Sequence, residues 1–259
     1  MKLLDIQNLS VRLVQGREPK SIVANLGLTI EAGEIVALVG GSGSGKTTTG
    51  LAIMRLLEPG IEMTSGHILF EGQNLLELPP PSMRRVRGAK IGMVFQDPLS
   101  AFNPVFSIGS QIDEVQRQHR GLSVARARAA TLDMLDVVGI PDPQRVYRSF
   151  PHQLSGGMRQ RAMIAMAIAV HPPLLIADEP TSNLDVTLQA RIMDLFRRLR
   201  QEMNIAILLI THDLGVVRHL AERVYVMCQG EVVEAGATST ILDHPTHRYT
   251  QRLMAAVAV

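Results

Sequence analysis

Residues 34–48 read Glu-Ile-Val-Ala-Leu-Val-Gly-Gly-Ser-Gly-Ser-Gly-Lys-Thr-Thr, an apolar run followed by a glycine-rich loop. The apolar run predicts a buried strand, and residues 46–57 predict a helix that Pro59 and Gly60 terminate. A Gly-x-x-x-x-Gly-Lys-Thr loop between a strand and a helix is typical of proteins that bind nucleotide phosphates. A glycine- and serine-rich turn that matches by chance is disfavoured, because the flanking strand and helix are both predicted.

The residue types in this loop explain how it would hold a nucleotide. Gly40, Gly43 and Gly45 let the backbone turn so that several N–H groups converge on phosphate oxygens, at the positive end of the helix dipole. Lys46 adds a full charge for the β- and γ-phosphates, and the Thr47 hydroxyl is placed to ligate Mg²⁺. The residues expected to bind the nucleotide are Gly40, Gly41, Ser42, Gly43, Ser44, Gly45, Lys46, Thr47 and Thr48.

Composition argues against several other classes of protein. A net charge of +2 gives no general attraction to nucleic acid, and the absence of Trp argues against a base-stacking surface. Cys228 is the only cysteine, which excludes a disulfide, a thiolate zinc site and an iron–sulfur cluster within one chain. No apolar run approaches the roughly 20 residues that cross a bilayer, and the first residues lack a signal-peptide segment. We therefore expect the chain to stay in the cytoplasm unless another protein tethers it to a membrane.

The order of strands and helices predicts an α/β fold with a helical insertion. Short runs at residues 3–8 and 28–30 indicate a small, largely antiparallel β layer, and residues 66–71 predict a further short strand after the phosphate loop. From residue 97 to about residue 158 the pattern becomes helical, as in residues 124–138. Strands then alternate with helices again, which implies a parallel sheet covered on both faces. The segments predicted in this last part are 158–170, 174–177, 186–203, 205–210, 214–220 and 224–228.

These segments define the expected domain organisation. We expect one domain over residues 1–259, in which 1–96 and 159–259 form the core with the β layer. Residues 97–158 form a helical subdomain, and residues from about 236 to 259 form a C-terminal tail. Three consecutive prolines at 79–81 predict a turn, and residues 91–95 predict a strand before Gln96. Loops within the helical part are expected at Pro98, Pro104, Pro141, Pro143 and Pro151.

Two further groups of residues could take part in the chemistry. Asp178 and Glu179 end the strand predicted at 174–177, where ligands bind in open α/β sheets. Asp178 would hold Mg²⁺, and Glu179 would polarise the water that attacks the γ-phosphate, although an Asp-Glu pair alone is often a solvated turn. Ser155, Gly156 and Gly157 precede a helix and could form a second anion site, or an ordinary helix cap.

The order of these motifs resembles that of the ATP-binding subunits of ABC transporters, over essentially the whole chain. The resemblance implies a RecA-like P-loop NTPase core with a parallel sheet, an N-terminal antiparallel β layer and an inserted helical subdomain. It implies that Gln96 senses Mg²⁺ and water, that His212 contacts the γ-phosphate and that Asp185 works across a dimer interface. Lys46, Glu179 and His212 would be the catalytic residues, and Thr47, Gln96 and Asp178 the metal ligands. ATP would lie between the phosphate loop of one subunit and the Ser-Gly-Gly segment at 155–157 of another.

Finer motifs resemble the peptide/nickel importer branch of that family. They are Phe-Gln-Asp-Pro-Leu-Ser-Ala-Phe-Asn-Pro at 95–104, Leu-Ser-Gly-Gly-Met-Arg-Gln-Arg at 154–161 and His-Pro-Thr-His-Arg-Tyr-Thr at 244–250. The resemblance implies a second ATPase subunit, identical or different, two transmembrane permease subunits and a periplasmic substrate-binding protein. It places the chain peripherally on the cytoplasmic side of the bacterial inner membrane. The cysteines that hold an iron–sulfur cluster in some of these proteins are absent, so we expect no cluster.

One departure concerns the adenine. Most relatives place an aromatic ring against it from the first β layer, but residues 1–69 contain no Phe, Tyr or Trp. Val11, Arg12 or Leu13 could cover the base instead, at a loss of about 1 kcal/mol of stacking. Nickel-import subunits are similar in this respect, which favours nickel or a metal chelate over peptides as the cargo.

Two alternative functions stay open at this point. A soluble ABC ATPase that acts on nucleic acid or ribosomes would carry tandem cassettes, long coiled-coil insertions or zinc-binding cysteines, which do not fit this sequence. A subunit that hydrolyses ATP poorly and regulates a partner is disfavoured because every catalytic position is present, although the missing aromatic residue leaves room for it.

Overall fold

A computed structural model describes residues 2–14, 19–182 and 184–255 of the chain. Within these ranges the strands are β1 (Lys2–Leu13), β2 (Lys20–Glu31), β3 (Ile35–Val39), β4 (Ile61–Phe70), β5 (Gln73–Asn74), β6 (Ile91–Val94), β7 (Leu174–Asp178), β8 (Ala206–Thr211), β9 (Arg223–Cys228) and β10 (Glu231–Ala237). The helices are α1 (Lys46–Met54), α2 (Pro80–Ala89), α3 (Ile108–Arg120), α4 (Val124–Val137), α5 (Pro143–Arg148), α6 (Gly156–Ile168), α7 (Val186–Met203), α8 (Leu214–Leu220), α9 (Thr238–Asp243) and α10 (Arg248–Ala255). None of these helices has both the length and the apolarity that a membrane crossing requires. The chain divides into two compact units, one formed by Met1–Met83 with Ala206–Val259 and the other by Arg84–Ile205.

The first unit contains an antiparallel sheet with the strand order β2-β1-β4-β5. On β1 the Leu3 side chain is buried at the start of the strand, and buried side chains then alternate at Leu4 and Ile6, and at Leu9 and Val11. This alternation, with one face against the core, shifts by one residue near Asn8, which has a φ of 51°. The predicted antiparallel β layer is confirmed, and its strands are longer than the sequence runs that indicated them.

In the same unit β3 lies between β8 and β9 and pairs with both in parallel, while β10 pairs with β9 in antiparallel orientation. Every residue of β3 and β8 is buried, as their continuous apolar sequences predict. The Arg223 guanidinium at the start of β9 forms an ion pair with Glu34, which precedes β3. The register pairs Val39 with Thr211, so the loops after β3 and β8 leave the sheet at the same edge.

The second unit contains β6 and β7, paired in parallel, and the helices α3 to α7. Every residue of β6 and β7 is buried. The helices α3, α4 and α5 pack against one another, and α3 and α4 also pack against α6. Side chains cap several of these helices; at α3 the Ser107 hydroxyl accepts the Ser110 N–H, and at α5 the Asp142 carboxylate accepts the Arg145 N–H. The helical stretch predicted between residues 97 and 158 is present, and its boundaries as a subdomain stay a prediction.

Three helix ends differ from the expectations. α1 ends at Met54, before the predicted end at residue 57, because Arg55 adopts a φ of 51°. The Arg55 guanidinium donates hydrogen bonds to the carbonyls of Leu75 and Leu78, at 3.1 and 2.6 Å. α2 and α5 begin at prolines, where the sequence predicts a turn and a loop. The missing proline N–H costs nothing in a first helical turn, so these two expectations were wrong for a simple physical reason.

Candidate functional site

The predicted phosphate loop joins β3 to α1. Gly43 and Gly45 have φ angles of 75° and 101°, in the region that favours glycine. A Cβ atom added to Gly45 would lie 2.7 Å from the carbonyl oxygen of Ile22, so this side of the loop is closed by β2. A Cβ atom added to Gly43 would meet no atom within 4 Å, so the loop has open space on this side. This open side is where the sequence predicts that the phosphate groups bind.

The N-terminus of α1 supplies the positive groups of this loop. Lys46 is 7% exposed, and its Nζ donates hydrogen bonds to the carbonyls of Gly40 and Gly41, at 2.9 and 3.0 Å. The N–H groups in the first turn of a helix have no acceptor within the helix, and the first turn of α1 contains no acidic residue. A buried ammonium group and a helix N-terminus therefore meet at the same point.

His212 follows β8 beside the phosphate loop. The register of β3 and β8 pairs Val39 with Thr211, so Gly40 and His212 follow paired residues. His212 is exposed. The next residue, Asp213, accepts two backbone N–H groups at the start of α8 and so caps that helix. The cap fixes the turn that carries His212, and the structure brings this histidine and the loop to one edge of the first unit.

In the second unit, Gln96 and the predicted carboxylates follow another pair of parallel strands. The register pairs Val94 of β6 with Ala177 of β7. Gln96 therefore follows one strand and Asp178 and Glu179 follow the other, at the same edge. Asp178 is 2% exposed and Glu179 is 9% exposed, whereas Gln96 is exposed. The structure brings together the three residues that the sequence assigns to metal and water.

The backbone at Glu179 is unusual. Its φ of 47° lies in the left-handed region, which costs a non-glycine residue about 1 kcal/mol. The Glu179 carbonyl accepts hydrogen bonds from the Ser182 N–H at 3.2 Å and from the Ser182 hydroxyl at 2.8 Å. Gln160 of α6, which is 3% exposed, donates its Nε2 to the Pro180 carbonyl at 2.7 Å. These contacts hold the turn in place, and no pattern in the sequence indicates the role of Gln160.

The Ser-Gly-Gly segment forms the start of α6. The Ser155 hydroxyl accepts the Met158 N–H at 3.4 Å and so acts as the N-cap. A Cβ atom added to Gly156 would meet nothing within 4 Å, whereas one added to Gly157 would lie 3.0 Å from the Leu188 side chain. Gly157 therefore lets α7 approach α6, and Gly156 leaves space for a ligand at the helix N-terminus.

A cavity of about 210 Å³ lies beside this helix start, within the second unit. Its lining residues come from three segments: the one after β6, the start of α6 and the turn after β7. Residues 97–99 follow Gln96, Gly156 and Gln160 belong to α6, and Ser182 belongs to the turn after Glu179.

Asp185 caps α7, because its carboxylate accepts the Leu188 N–H at 2.9 Å. Its predicted role across a dimer interface stays a prediction. Asn183, which belongs to the same predicted motif, lies outside the described residues.

Of the three residues expected to cover the adenine, one is excluded by its burial. Val11 has no exposed surface and packs in the core. Arg12 is exposed and Leu13 is half-buried at the end of β1. The partner strand β2 passes behind the phosphate loop, where the Ile22 carbonyl faces Gly45. Arg12 and Leu13 therefore remain the candidates for contact with the base.

The predicted magnesium ligands are the Thr47 hydroxyl, the Gln96 amide and the Asp178 carboxylate. All three offer oxygen atoms, and Mg²⁺ is commonly held by one or two carboxylates together with substrate phosphates. In residues 2–14, 19–182 and 184–255, no group of three or more His, Cys, Asp and Glu side chains could hold a metal ion by itself. These donors fit a cation that arrives with its nucleotide. Thr47 belongs to the first unit and the other two ligands to the second, so their assembly stays a prediction.

Another residue beside the phosphate loop has no signal in the local sequence. The Tyr249 hydroxyl of α10 accepts the Gly41 N–H at 2.8 Å, across 208 positions of sequence. The segment 244–250 was informative only as a resemblance to a family. No local pattern predicts its contact with the loop.

Comparison with known proteins gives consistent matches. The sequence profile of the family described as "ABC transporter" matches residues 23–182. The chain is 49% identical to the glutathione import ATP-binding protein GsiA of Salmonella typhimurium over 261 residues, which are 98% of this chain and 42% of that protein. It is 46% identical to the peptidoglycan transport ATP-binding protein YejF of Agrobacterium fabrum over 255 residues, 98% of this chain and 47% of that protein. The chain thus spans about half the length of these curated relatives.

A solved structure supports the fold. The ATP-binding cassette MJ0796, a dimer bound to ADP and phosphate in a post-hydrolysis state, superposes with a TM-score of 0.82 and 30% identity. The match covers 91% of this chain and 98% of that one. The predicted α/β fold with parallel and antiparallel sheets is therefore confirmed. Since the profile matches more than half of the chain, and the cassette fold and its motifs agree with it, the chain belongs to the ABC transporter family.

Proposed function

We propose that the chain is the ATP-binding subunit of an ABC importer, in which two cassettes hydrolyse MgATP and drive the uptake of short peptides. The phosphate loop carries this proposal. It has open space at Gly43 and the buried Lys46 ammonium at the N-terminus of α1, in a chain of the ABC transporter family. Backbone N–H groups and one ammonium are the donors that a triphosphate requires.

We assign the parts of the hydrolysis reaction to residues of both units. Lys46 and the first turn of α1 bind the phosphates and stabilise the charge that moves in the transition state. Mg²⁺, when bound by Thr47, Gln96 and Asp178, supplies further positive charge to the phosphate oxygens. Glu179 orients and polarises the attacking water, and its fixed turn limits the positions of its carboxylate. His212 contacts the γ-phosphate from the end of β8.

A second copy or a related subunit completes each site. The helix N-terminus at Ser155–Gly157 is a second anion site with open space at Gly156, and we assign it to the nucleotide held by the opposite subunit. Asp185 contacts that subunit from the start of α7. The dimer of MJ0796 with ADP and phosphate supports this arrangement for a cassette of the same fold.

The remaining partners are proposed from the resemblance to the peptide/nickel importer branch. GsiA and YejF are named for glutathione import and peptidoglycan transport, and both of these compounds contain peptide bonds. We therefore propose two permease subunits, a periplasmic binding protein and a peripheral position on the cytoplasmic side of the inner membrane. The helical subdomain at 97–158 contacts the permeases, within a single domain over 1–259. Nickel or a metal chelate stays a prediction that rests on the missing aromatic residue.

The Glu179→Gln variant tests the proposed chemistry. We expect it to bind MgATP as the unchanged chain does and to lose at least about 100-fold in steady-state hydrolysis, because the amide cannot accept a proton. Glu202→Gln is the matched control, since Glu202 is an exposed carboxylate of α7 in the same unit. Binding is measured with a fluorescent ATP analogue, and hydrolysis with the chain assembled with its partners. Near-normal hydrolysis by Glu179→Gln would refute the role of Glu179.

The cargo and the alternative functions are tested by purification of the native complex. We expect permeases and a binding protein to copurify, and the isolated binding protein to bind short peptides rather than Ni²⁺ or a nickel chelate. Copurification with nucleic acid or ribosomes would instead favour the soluble ABC ATPase. ATP binding without hydrolysis in the complete complex would favour a regulatory subunit.

A further inference from the structure

The peptide group between Gly40 and Gly41 is held at both of its ends. Its carbonyl, on Gly40, accepts a hydrogen bond from Lys46 Nζ at 2.9 Å. Its N–H, on Gly41, donates to the Tyr249 hydroxyl at 2.8 Å. Glycine on both sides of a peptide group leaves its rotation almost free of steric hindrance. The two hydrogen bonds therefore set the direction of this carbonyl, and with it the place of the Lys46 ammonium.

The tyrosine that makes one of these bonds is itself anchored. Glu234 of β10 accepts the Thr246 N–H and the Thr246 hydroxyl, both at 2.8 Å, and the His247 N–H at 3.1 Å. Burial alone would raise the pKa of Glu234, but the Thr250 hydroxyl, together with the hydrogen bonds from Thr246 and His247, lowers it to about 2. The carboxylate is therefore charged at neutral pH and holds the residues that lead into α10.

The hairpin that carries Glu234 also touches the phosphate loop directly. Between β9 and β10, the Gly230 N–H donates to the Ser44 carbonyl at 3.1 Å. A Cβ atom added to Gly40 would lie 2.2 Å from the Met227 carbonyl oxygen of β9. The β9–β10 hairpin thus supports one side of the loop, and through Glu234 and Tyr249 it reaches the other side.

We infer that Tyr249 is a positioning residue of the nucleotide site, which fixes the Gly40–Gly41 peptide and thereby the Lys46 ammonium before ATP binds. This inference rests on the proposed function, because it assumes that the loop takes a nucleotide. Tyr249 touches neither the phosphates nor the water in this account. Its effect passes through one peptide group of the loop.

The expected consequence is a loss of affinity for nucleotide. Without the hydroxyl, the peptide group populates rotated orientations in which the Gly40 carbonyl no longer faces Lys46. The apparent affinity falls in proportion to the fraction of molecules that keep the competent orientation. A single hydrogen bond of ordinary strength corresponds to a loss of about five-fold.

The experiment compares two tyrosine-to-phenylalanine variants of the full chain. Tyr249→Phe removes the acceptor of the Gly41 N–H. Tyr225→Phe is the control, because its hydroxyl also accepts a backbone N–H, that of Thr29 at 3.1 Å, in the same unit. We measure the Kd for MgADP and for MgATP, and the hydrogen exchange of the Gly41 amide without nucleotide. Tyr249→Phe should weaken both affinities about five-fold and speed the exchange, whereas Tyr225→Phe should change neither.

A variant on the loop side makes the test independent of α10. The Cβ of Gly41→Ala would lie 3.1 Å from the Tyr249 hydroxyl, which must then shift slightly away from the loop. Gly41→Ala should therefore weaken binding by no more than Tyr249→Phe does, and the double variant should be no weaker than Tyr249→Phe alone. Additive losses would contradict a shared action through one peptide group.

The other outcomes are equally decisive. Unchanged affinity and unchanged Gly41 exchange in Tyr249→Phe would overturn the inference. Equal losses in both phenylalanine variants would also overturn it, since a general loss of stability would then suffice. If the unchanged chain binds neither nucleotide, the proposed function fails. In that case, faster Gly41 exchange in Tyr249→Phe but not in Tyr225→Phe would still support the positioning of the peptide.

Discussion

The phosphate loop and the turn after β7 both follow a buried parallel strand, yet they are built from opposite residue types. The loop consists largely of glycines, and a ligand meets mainly its backbone N–H groups. The turn places a charged residue, Glu179, at a φ of 47°, where glycine would be at ease. A loop that binds its ligand mainly through backbone N–H groups can be rich in glycine. A turn that must provide a carboxylate requires a side chain there, and the strained backbone is then tolerated.

The largest effect should come from a side chain inside the loop. A Cβ atom at Gly40 would meet the backbone oxygen of Met227 at 2.2 Å, which a neighbouring side chain cannot relieve. We expect Gly40→Ala to lower the free energy of unfolding by about 3 kcal/mol or more. Gly43→Ala, with no atom within 4 Å of its Cβ but a φ of 75°, should lose only about 1 kcal/mol. Urea denaturation of both variants measures the difference, and equal losses would contradict the account of the loop.

The strain at the turn predicts a smaller effect, in which glycine rather than alanine is the stabilising replacement. Glu179→Gly and Glu179→Ala both remove the carboxylate and should hydrolyse ATP equally poorly. Only the glycine variant relieves the left-handed backbone, so it should be more stable than the alanine variant by about 1 kcal/mol. Thermal or urea unfolding decides the matter. An alanine variant that is the more stable of the two would show that the turn carries no strain.

The smallest effect concerns a side chain beside the loop rather than within it. Because the phosphates are bound through the loop backbone and Lys46, an aromatic ring over the adenine should add only about 1 kcal/mol. Leu13→Tyr should therefore bind ATP about five-fold more tightly, measured as a Kd. Arg12→Tyr on the neighbouring position is the control for ring size. A gain by Arg12→Tyr alone would move the adenine contact to that residue.

Features encoded by neighbouring residues were predictable. Local signals predict the phosphate loop, the strand before it and the helices at 186–203 and 214–220. The structure contains each of these elements at the predicted position. The resemblance to ABC transporter subunits, drawn from the order of the motifs, is confirmed. Register then explains why His212 lies beside the loop, because parallel strands bring their carboxyl ends to one edge.

Features that depend on distant residues were not predictable. The early end of α1 depends on the hydrogen bonds of Arg55 to two carbonyls that come 20 and 23 residues later. The hydrogen bond between Gly41 and Tyr249 spans 208 residues. The turn at Glu179 is held by Gln160, whose side chain looks in the sequence like any polar residue of a helix. Each of these contacts joins residues that only the tertiary packing brings together. A pattern of neighbouring residues therefore cannot predict it.

The position of β3 has a consequence for the synthesis of the protein. Its two hydrogen-bonded neighbours, β8 and β9, leave the ribosome only after residue 205. The strand that presents the glycine-rich loop therefore forms both of its parallel pairings only after β8 and β9 have been made. Capture of ATP by a nascent chain thus requires that residues 206–228 have already been synthesised.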